Sequence, residues 1–305
     1  FDRVWHDGLL HKLKTTGHPS FLLKIIQSFL LERYSYVAIN SQDSLPYKVT
    51  AGVPQGSPLA PHLFSIFISD IPVPQSCKIS LFADDTALSA SAHNHDLPKI
   101  ISKLENGLEE ISNYFENWKI NLNVSKTEAI LFTKSTKMRK LSKLHKITFG
   151  GTSLEWKNDV KYLGVMFDTK MIFKQNIERN ILKAKKAIST LYCFLKRSSH
   201  VSRESKIIMY KSYIRPLLTY ACPAYAHIAK AHLKKLQVQQ NKSLRMILNA
   251  HYRTRISKLH QITNIPLVED FIGKLTEKFY TRCNYSENSL IKRLGVTKLN
   301  PNLKV

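Results

Sequence analysis

Acidic residues are scarce in this 305-residue chain: 22 Asp and Glu stand against 46 Lys and Arg, a formal net charge of +24. A field of that sign favours a polyanionic partner. Cysteine is sparse too. Cys77, Cys193, Cys222 and Cys283 lie far apart and form neither a Cys-x-x-Cys pair nor a Cys/His cluster. That argues against a zinc centre and leaves no disulfide framework, so a reducing compartment is expected. No apolar run approaches the length of a membrane-spanning helix, which ranks nucleic acid ahead of an anionic membrane surface as the partner. Internal repeats, low-complexity tracts and a signal-peptide pattern are all missing, and the first residue is Phe1 rather than Met. The sequence reads as a piece of a longer polypeptide. What remains is ordinary: 43% hydrophobic and 10% aromatic residues, enough for a core of normal size in one large or two modest domains.

The most informative stretch is Lys78-Ile79-Ser80-Leu81-Phe82-Ala83-Asp84-Asp85-Thr86-Ala87-Leu88. Two apolar runs of strand length flank adjacent carboxylates, which predicts a hairpin turning at Asp84-Asp85. Successive strand residues point to opposite faces, so neighbouring aspartates share a task only where the backbone turns. Two like charges side by side repel each other, and a hard, oxygen-liganded divalent ion, Mg²⁺ or Mn²⁺, is the natural neutralising group. An isolated Asp-Asp pair is more often just an exposed turn, because turns favour Asp in any case. Its company elsewhere in the chain decides.

Upstream, Ser20 predicts a helix start with Leu23, Ile26 and Leu30 on one face to about Arg33, followed by strands at 34–39 and 47–51. Gly52-Val53-Pro54-Gln55-Gly56-Ser57-Pro58 is a loop of enforced backbone shape, with Ser57 a cap and Pro58 the first position of a helix to about Asp70. Small residues there let a ligand approach the backbone, and Gln55 offers a donor and an acceptor. Leu97, Ile101, Leu104, Leu108, Ile111, Phe115 and Trp118 predict a long amphipathic helix. Lys126 stands at a loop-to-strand junction. Residues 135–145 read as a basic, mobile connection, and 147–149 with 160–167 as two strands around a turn. From Ile172 onward the pattern is of long, basic, amphipathic helices, interrupted at Arg215-Pro216 and Cys222-Pro223. The change of character falls near residue 170.

Each feature is weak alone, but their order is specific. A Gln loop, then an Asp-Asp hairpin, a Lys before a strand and a Tyr-Leu-Gly hairpin are what a nucleotidyl-transfer palm needs. The chain resembles the reverse transcriptases of non-LTR retrotransposons, and most of all those of the jockey-like elements. The match is carried by Phe1-Asp2-Arg3-Val4-Trp5-His6-Asp7-Gly8-Leu9-Leu10, Gly52-Val53-Pro54-Gln55-Gly56-Ser57-Pro58-Leu59, Phe82-Ala83-Asp84-Asp85, Asn123-Val124-Ser125-Lys126-Thr127 and Tyr162-Leu163-Gly164. It continues more loosely through Tyr213-Ile214-Arg215-Pro216-Leu217-Leu218-Thr219-Tyr220.

The resemblance implies an α+β palm over residues 1–169, with a small antiparallel sheet and packed helices and with the fingers missing. A mostly α-helical thumb and extension would follow over 170–305. It implies that Asp84 and Asp85 hold Mg²⁺ (or Mn²⁺), that Gln55 and Gly56 line the incoming deoxynucleotide, and that Phe1 excludes a 2′-hydroxyl. Lys126 would assist the leaving pyrophosphate, Tyr162-Leu163-Gly164 would press on the primer end, and the basic helices would hold duplex phosphates. The implied partners are an RNA template, a DNA primer and deoxynucleoside triphosphates, acting in the nucleus and without a membrane.

One departure matters: the family's third metal-binding aspartate precedes the aromatic gate by about five residues, and two-metal chemistry uses it to bridge the ions. Asp2 lies on the wrong side of the gate to replace it, and Asp7 reads as structural. The expectation is therefore that the parent polymerises and these 305 residues alone do not. The rival readings are an RNA-dependent RNA polymerase or intron-type maturase, and a non-catalytic remnant that binds nucleic acid through its positive surface.

Overall fold

Apolar spacing and end chemistry together place the helices of the first half of the chain. The helix Leu97–Asn117 begins where the Asp96 carboxylate accepts from the Lys99 amide at 3.1 Å, with Pro98 in its first turn. It buries Leu97, Ile101, Ile111 and Phe115 along one stripe. The helix Ser20–Leu30 starts one residue earlier than a Ser20 cap would give: Pro19, extended at ψ 143, is the residue before the first turn, and the Ser20 side chain caps nothing. It ends at Leu30 rather than Arg33, because Glu32 takes a left-handed φ of 55 and Arg33 enters a strand. The helix after the Gln loop runs Leu59–Phe67, so Pro58 precedes it and does not open it, although Ser57 Oγ still accepts from the Leu59 amide at 3.2 Å.

The structure is a computed structural model describing residues 1–92 and 96–296, in two compact units, Phe1–Asn158 and Asp159–Val305. It is α+β: helices with small, mainly antiparallel two-stranded ladders in place of one continuous sheet. In the first unit, Arg33–Ser35 pairs with Tyr47–Val49 and Ala38–Ile39 with Gln42–Asp43. The strand expected over 34–39 is interrupted there because two residues oppose three, and Pro46 among the three has no amide to give. Lys78–Phe82 pairs with Asp85–Ser89, and Ile147–Phe149 with Thr152–Leu154. Ala129–Ile130 and Trp156–Lys157 form a short parallel pair.

Residues 135–145 are not a loose connection. Ser135 Oγ accepts from the Met138 amide at 3.3 Å and starts the helix Thr136–Ser142, whose Met138 is 3% exposed among Leu97, Ile101 and Phe149. The first helix, His6–Thr15, is fixed by Lys12. Its buried side chain donates to the Phe67 carbonyl, to Asp70 and to the Tyr114 hydroxyl, and its ammonium lies 3.6 Å from the centre of the Trp118 ring. Hydrogen bonds and a cation–π contact thus compensate a charge that would otherwise be costly to bury.

The second unit opens with the hairpin Asp159–Tyr162 and Val165–Asp168, so the compact units divide earlier than the change of composition near residue 170. The reason is packing: Val165 is buried in the helical core with Phe173, Ile177 and Leu218. The strands expected to pair across 147–167 accordingly belong to two separate hairpins, one in each unit. Asp168 links the hairpin to the helix Lys174–Thr190, its carboxylate accepting from the amides of Lys170, Ile172 and Phe173. Pro216 does not stop the helical run. The chain carries on from Arg203–Met209 into Arg215–Thr219 through a wider turn in which the Arg215 amide reaches the Tyr210 carbonyl, five residues back. The helices Lys230–Leu248, Ile256–Thr263 and Val268–Asn284 are tied together by polar side chains: Gln237 Oε1 accepts from the Val268 amide at 2.8 Å and His260 Nε2 lies 3.2 Å from Asn241 Oδ1, while the buried Gln240 donates to Tyr210 Oη at 3.0 Å. The helix Ser289–Val296 follows, and residues 297–305 of the expected extension lie outside the described residues.

Candidate functional site

In the first unit the chain's opening residues and the Gln loop form one corner. Gly52 has φ +90, and a Cβ there would stand 2.9 Å from the Asp2 backbone, so glycine is required both by conformation and by close approach. The Gly52 amide donates to the Val4 carbonyl at 2.8 Å and the Val53 amide to the Phe1 carbonyl at 3.0 Å. The Gly52 carbonyl in turn accepts from the Arg33 guanidinium at 3.1 Å and lies 2.8 Å from Nε2 of the buried His6. Three anchors thus fix a loop whose backbone would otherwise be free. On this frame the Phe1 ring lies 4.8 Å from the Phe64 ring, and the Gln55 amide donates to Asp2 Oδ1 at 2.7 Å. Gly56, at φ +86, has open space where a Cβ would project.

The structure therefore places Phe1 and the Gln55-Gly56 loop in the same corner of the first unit. It also gives Asp2 a task which the sequence reading missed: its carboxylate holds the Gln55 donor, leaving the Gln55 carbonyl oxygen as the group free to accept. The local signal was only the adjacency of Asp2 to the aromatic residue.

The carboxylate pair sits at the tip of the hairpin Lys78–Phe82 and Asp85–Ser89, displaced by one residue from the expected turn. Phe82 pairs with Asp85, so the turn is Ala83-Asp84, and Asp85 is the first residue of the return strand. Ala83 takes φ 51, a left-handed conformation that a side chain disfavours, and such outliers concentrate at functional sites. Only Ile79 and Leu88 pack inward, against Ile71, Ile111 and Phe115. Leu81, Phe82, Asp84 and Asp85 are exposed. Among the described residues no hydrogen bond or ion pair engages either carboxylate, and no group of three His, Cys, Asp or Glu side chains is arranged to hold a metal. Two adjacent, unpaired, hard oxygen donors fit a divalent cation as part of its ligand set.

Lys126 is exposed and ends a tight turn, Val124–Lys126, that Asn123 organises by accepting from the Lys126 amide at 3.2 Å and from Ser125 Oγ at 2.7 Å. No hydrogen bond, ion pair or ring contact joins the side chains of Phe1, Gln55, Asp84, Asp85 and Lys126 to one another among the described residues.

In the second unit Tyr162-Leu163-Gly164 forms the tip of the hairpin Asp159–Tyr162 and Val165–Asp168, with φ 46 at Leu163 and φ 82 at Gly164. Two successive left-handed residues make the tight turn that suits the twist of a two-stranded ribbon. A residue not singled out by the sequence supports this tip. The Tyr220 hydroxyl donates to the Leu163 carbonyl at 3.1 Å, and its ring edge stands 3.1 Å from where a Cβ on Gly164 would be. Tyr220 is itself held, because the buried Tyr225 hydroxyl donates to its carbonyl at 2.9 Å. Beside this hairpin Lys183 feels both Arg179 and Lys161, and burial together with these two cations holds its ammonium below the usual lysine range. Lys183 thus stands in a local excess of positive charge.

Comparisons with known proteins identify the family. The profile of the family described as "Reverse transcriptase (RNA-dependent DNA polymerase)" matches residues 1–167. The RNA-directed DNA polymerase from mobile element jockey of Drosophila melanogaster is 31% identical over 97% of this chain and 32% of its own length. Its counterpart from Drosophila funebris is 30% identical over 97% of this chain and 32% of its length. The probable RNA-directed DNA polymerase from transposon BS of D. melanogaster is 29% identical over 96% and 33%. The chain thus spans about a third of the length of the curated relatives it matches. With the family profile covering more than half of the chain, the chain belongs to the reverse transcriptase family and is of the jockey-like, non-LTR kind.

Proposed function

We propose that the protein of which this chain is part copies an RNA template into DNA, extending a primer 3′-hydroxyl with deoxynucleoside triphosphates. The observation that carries this reading is the hairpin tip, where Asp84 and Asp85 are exposed and, among the described residues, form no ion pair with a cationic side chain. Turns favour Asp in any case, but two adjacent unpaired carboxylates beside a strained Ala83 also have a ready chemical use. When bound there, a divalent ion, Mg²⁺ or Mn²⁺, would supply activation of the attacking hydroxyl and neutralisation of the leaving pyrophosphate. Asp84 and Asp85 would hold it.

The remaining residues bind and orient. Phe1, stiffened by Phe64, would lie under the sugar of the incoming nucleotide and leave no room for a 2′-hydroxyl. Gln55, with its amide tied to Asp2, presents its carbonyl oxygen, and Gly56 lets the nucleotide approach the backbone. Lys126 would meet the departing phosphate as a donor. Tyr162-Leu163-Gly164 would seat the primer end, with Lys161, Arg179 and Lys183 taking backbone phosphates. Our reading for the 305 residues alone is that they do not extend a primer, since among the described residues no third carboxylate joins Asp84 and Asp85 in a group that could hold a metal.

The test is primer extension on an RNA template with Mg²⁺, using a longer form of the protein that carries residues upstream of Phe1, beside its Asp84→Asn and Asp85→Asn variants. Extension abolished by either substitution supports the reading. A folded protein that binds RNA without extending it would overturn the reading in favour of a nucleic-acid-binding remnant, and extension by residues 1–305 alone would overturn the expectation of inactivity.

A further inference from the structure

We propose that the loop at residues 251–255 is a stacking site for an unpaired base of a single-stranded nucleic acid. It stands apart from the polymerase reading, which uses phosphate contacts and the nucleotide corner of the other unit. The loop connects the helices Lys230–Leu248 and Ile256–Thr263. Its sequence, His251-Tyr252-Arg253-Thr254-Arg255, sets one aromatic ring among cations. Tyr252 is 68% exposed and belongs to none of the apolar clusters, so packing does not account for it. The His251 ring stacks 4.3 Å from it at an interplanar angle of 39°, and the Arg253 guanidinium lies 5.3 Å from its centre.

The display is held in place. Asn249 closes the preceding helix at φ 53, with the Ala250 amide donating to the Arg245 carbonyl at 2.9 Å. The Thr254 amide then donates to the His251 carbonyl at 2.9 Å, and the Arg253 amide to His251 Nδ1 at 3.3 Å. The Arg245 guanidinium reaches across to the Thr254 carbonyl at 3.3 Å. A loop backbone held this way, with the His251 ring beside Tyr252, costs little ordering entropy when a base lands on Tyr252.

Charge favours the same ligand. No aspartate or glutamate occurs anywhere from 205 to 268, whereas eleven lysines and arginines do. A fixed aromatic in a carboxylate-free basic stretch is what strand-binding proteins use, since any base offers a π face while cations track the phosphates. The shared chemistry is an exposed base on a polyanionic strand, RNA or DNA.

The experiment is fluorescence anisotropy on the 305-residue chain with four probes of equal length: an RNA oligomer, the same sequence in DNA, an abasic strand with the same phosphates, and a duplex. Tyr252→Ala and Tyr252→Leu should each weaken binding of a base-bearing single strand by roughly tenfold, while Tyr252→Phe stays within about twofold. Neither loss should appear with the abasic strand or the duplex, and the slope of log affinity against log salt should not change, because no phosphate contact is removed. Loss on RNA alone assigns the site to RNA, and equal loss on both assigns it to either strand. Wild-type affinity in Tyr252→Ala, or an equal loss on the abasic strand, overturns the proposal. None of these readings depends on Asp84 or Asp85, so a failure here is separable from a failure of the polymerase assignment.

Discussion

Replacing Gly164 by alanine tests how the Tyr162-Leu163-Gly164 tip is built. Two costs are separable. One is conformational: φ at Gly164 is +82, and a side chain in that region costs about 1–2 kcal/mol wherever it occurs. The other is steric: the new Cβ would meet Tyr220 Cε1 at 3.1 Å, tighter than ordinary carbon contacts. The ring, half exposed, can give by a few tenths of an ångström only by straining the bond from its hydroxyl to the Leu163 carbonyl. Overpacking of that kind adds about 1–3 kcal/mol. The sum for Gly164→Ala is roughly 2–5 kcal/mol, read as a lower urea midpoint at unchanged slope. In a Tyr220→Ala background only the conformational cost survives, so there the same substitution should cost no more than about 1–2 kcal/mol. Tyr220→Phe, which keeps the ring and drops one partly exposed hydrogen bond, should cost about 0.5–1.5 kcal/mol. An identical Gly164→Ala penalty in both backgrounds would refute the claim that Tyr220 backs the turn.

The remaining predictions concern the other unit. Asp2→Ala should raise KM for deoxynucleotides several-fold in an extension-competent form, with a smaller effect on kcat, because it frees the Gln55 amide that Asp2 holds at 2.7 Å. Phe1→Ala should admit ribonucleotides, measured as a higher ribo- to deoxynucleotide ratio in kcat/KM. Lys12→Ala should destabilise the protein by about 1–3 kcal/mol in chemical denaturation, since the Phe67 carbonyl loses its ammonium donor while the half-exposed Asp70 carboxylate keeps the Tyr114 hydroxyl. Burial pushes the Asp70 carboxyl up, but the hydrogen bonds from Lys12 and Tyr114 outweigh it and hold the group below its ordinary 3.8. A folded pKa below the unfolded one contributes stability above pH 3.8 that is lost as the pH falls through the folded value. Asp70→Asn should therefore flatten the acid limb of the stability profile, by under about 1 kcal/mol because the carboxylate is half exposed.

Much of this fold was legible because its helices announce themselves. The apolar stripe from Leu97 to Trp118 located a helix to within a residue at either end. What the pattern hid was decided by single residues acting at a distance. Met138 and Leu141 looked like minor apolar residues in a basic tract, yet Met138 fills a core whose other walls lie in 97–101 and 147–154, and that burial orders the tract. Pro216 reads as a break, but a helix can widen by one residue to absorb a missing amide, and the continuing hydrophobic face from Tyr210 through Leu218 makes that cheaper than ending. The strands at 147–149 and 160–167 were ambiguous since short apolar runs do not name their partner; Gly150-Gly151 settles the first hairpin locally and Leu163-Gly164 the second.

The candidate site divides along the same line. Residues whose chemistry is unusual for their surroundings, Asp84-Asp85 in an apolar hairpin and Gln55 between glycines, stood out from composition and order alone. The residues that hold them did not, because support is a property of three-dimensional neighbours. Asp2 holds Gln55 from 53 positions away and Tyr220 holds the Leu163 carbonyl from 57. Both are common residue types whose local sequence would be equally at home on a plain surface. The one-residue shift of the hairpin turn has the same origin. Asp was the more plausible turn former by propensity, but the pairing of Phe82 with Asp85 fixes the register and places the strained φ on Ala83. A small residue at 83 is then required by the turn itself, and Ala83→Val should be far more damaging than exposure suggests, since a β-branched side chain at φ 51 is more strained than alanine. Ala83→Gly should stabilise the folded chain instead; if thermal melts show both variants destabilised alike, the turn is not where the strain resides.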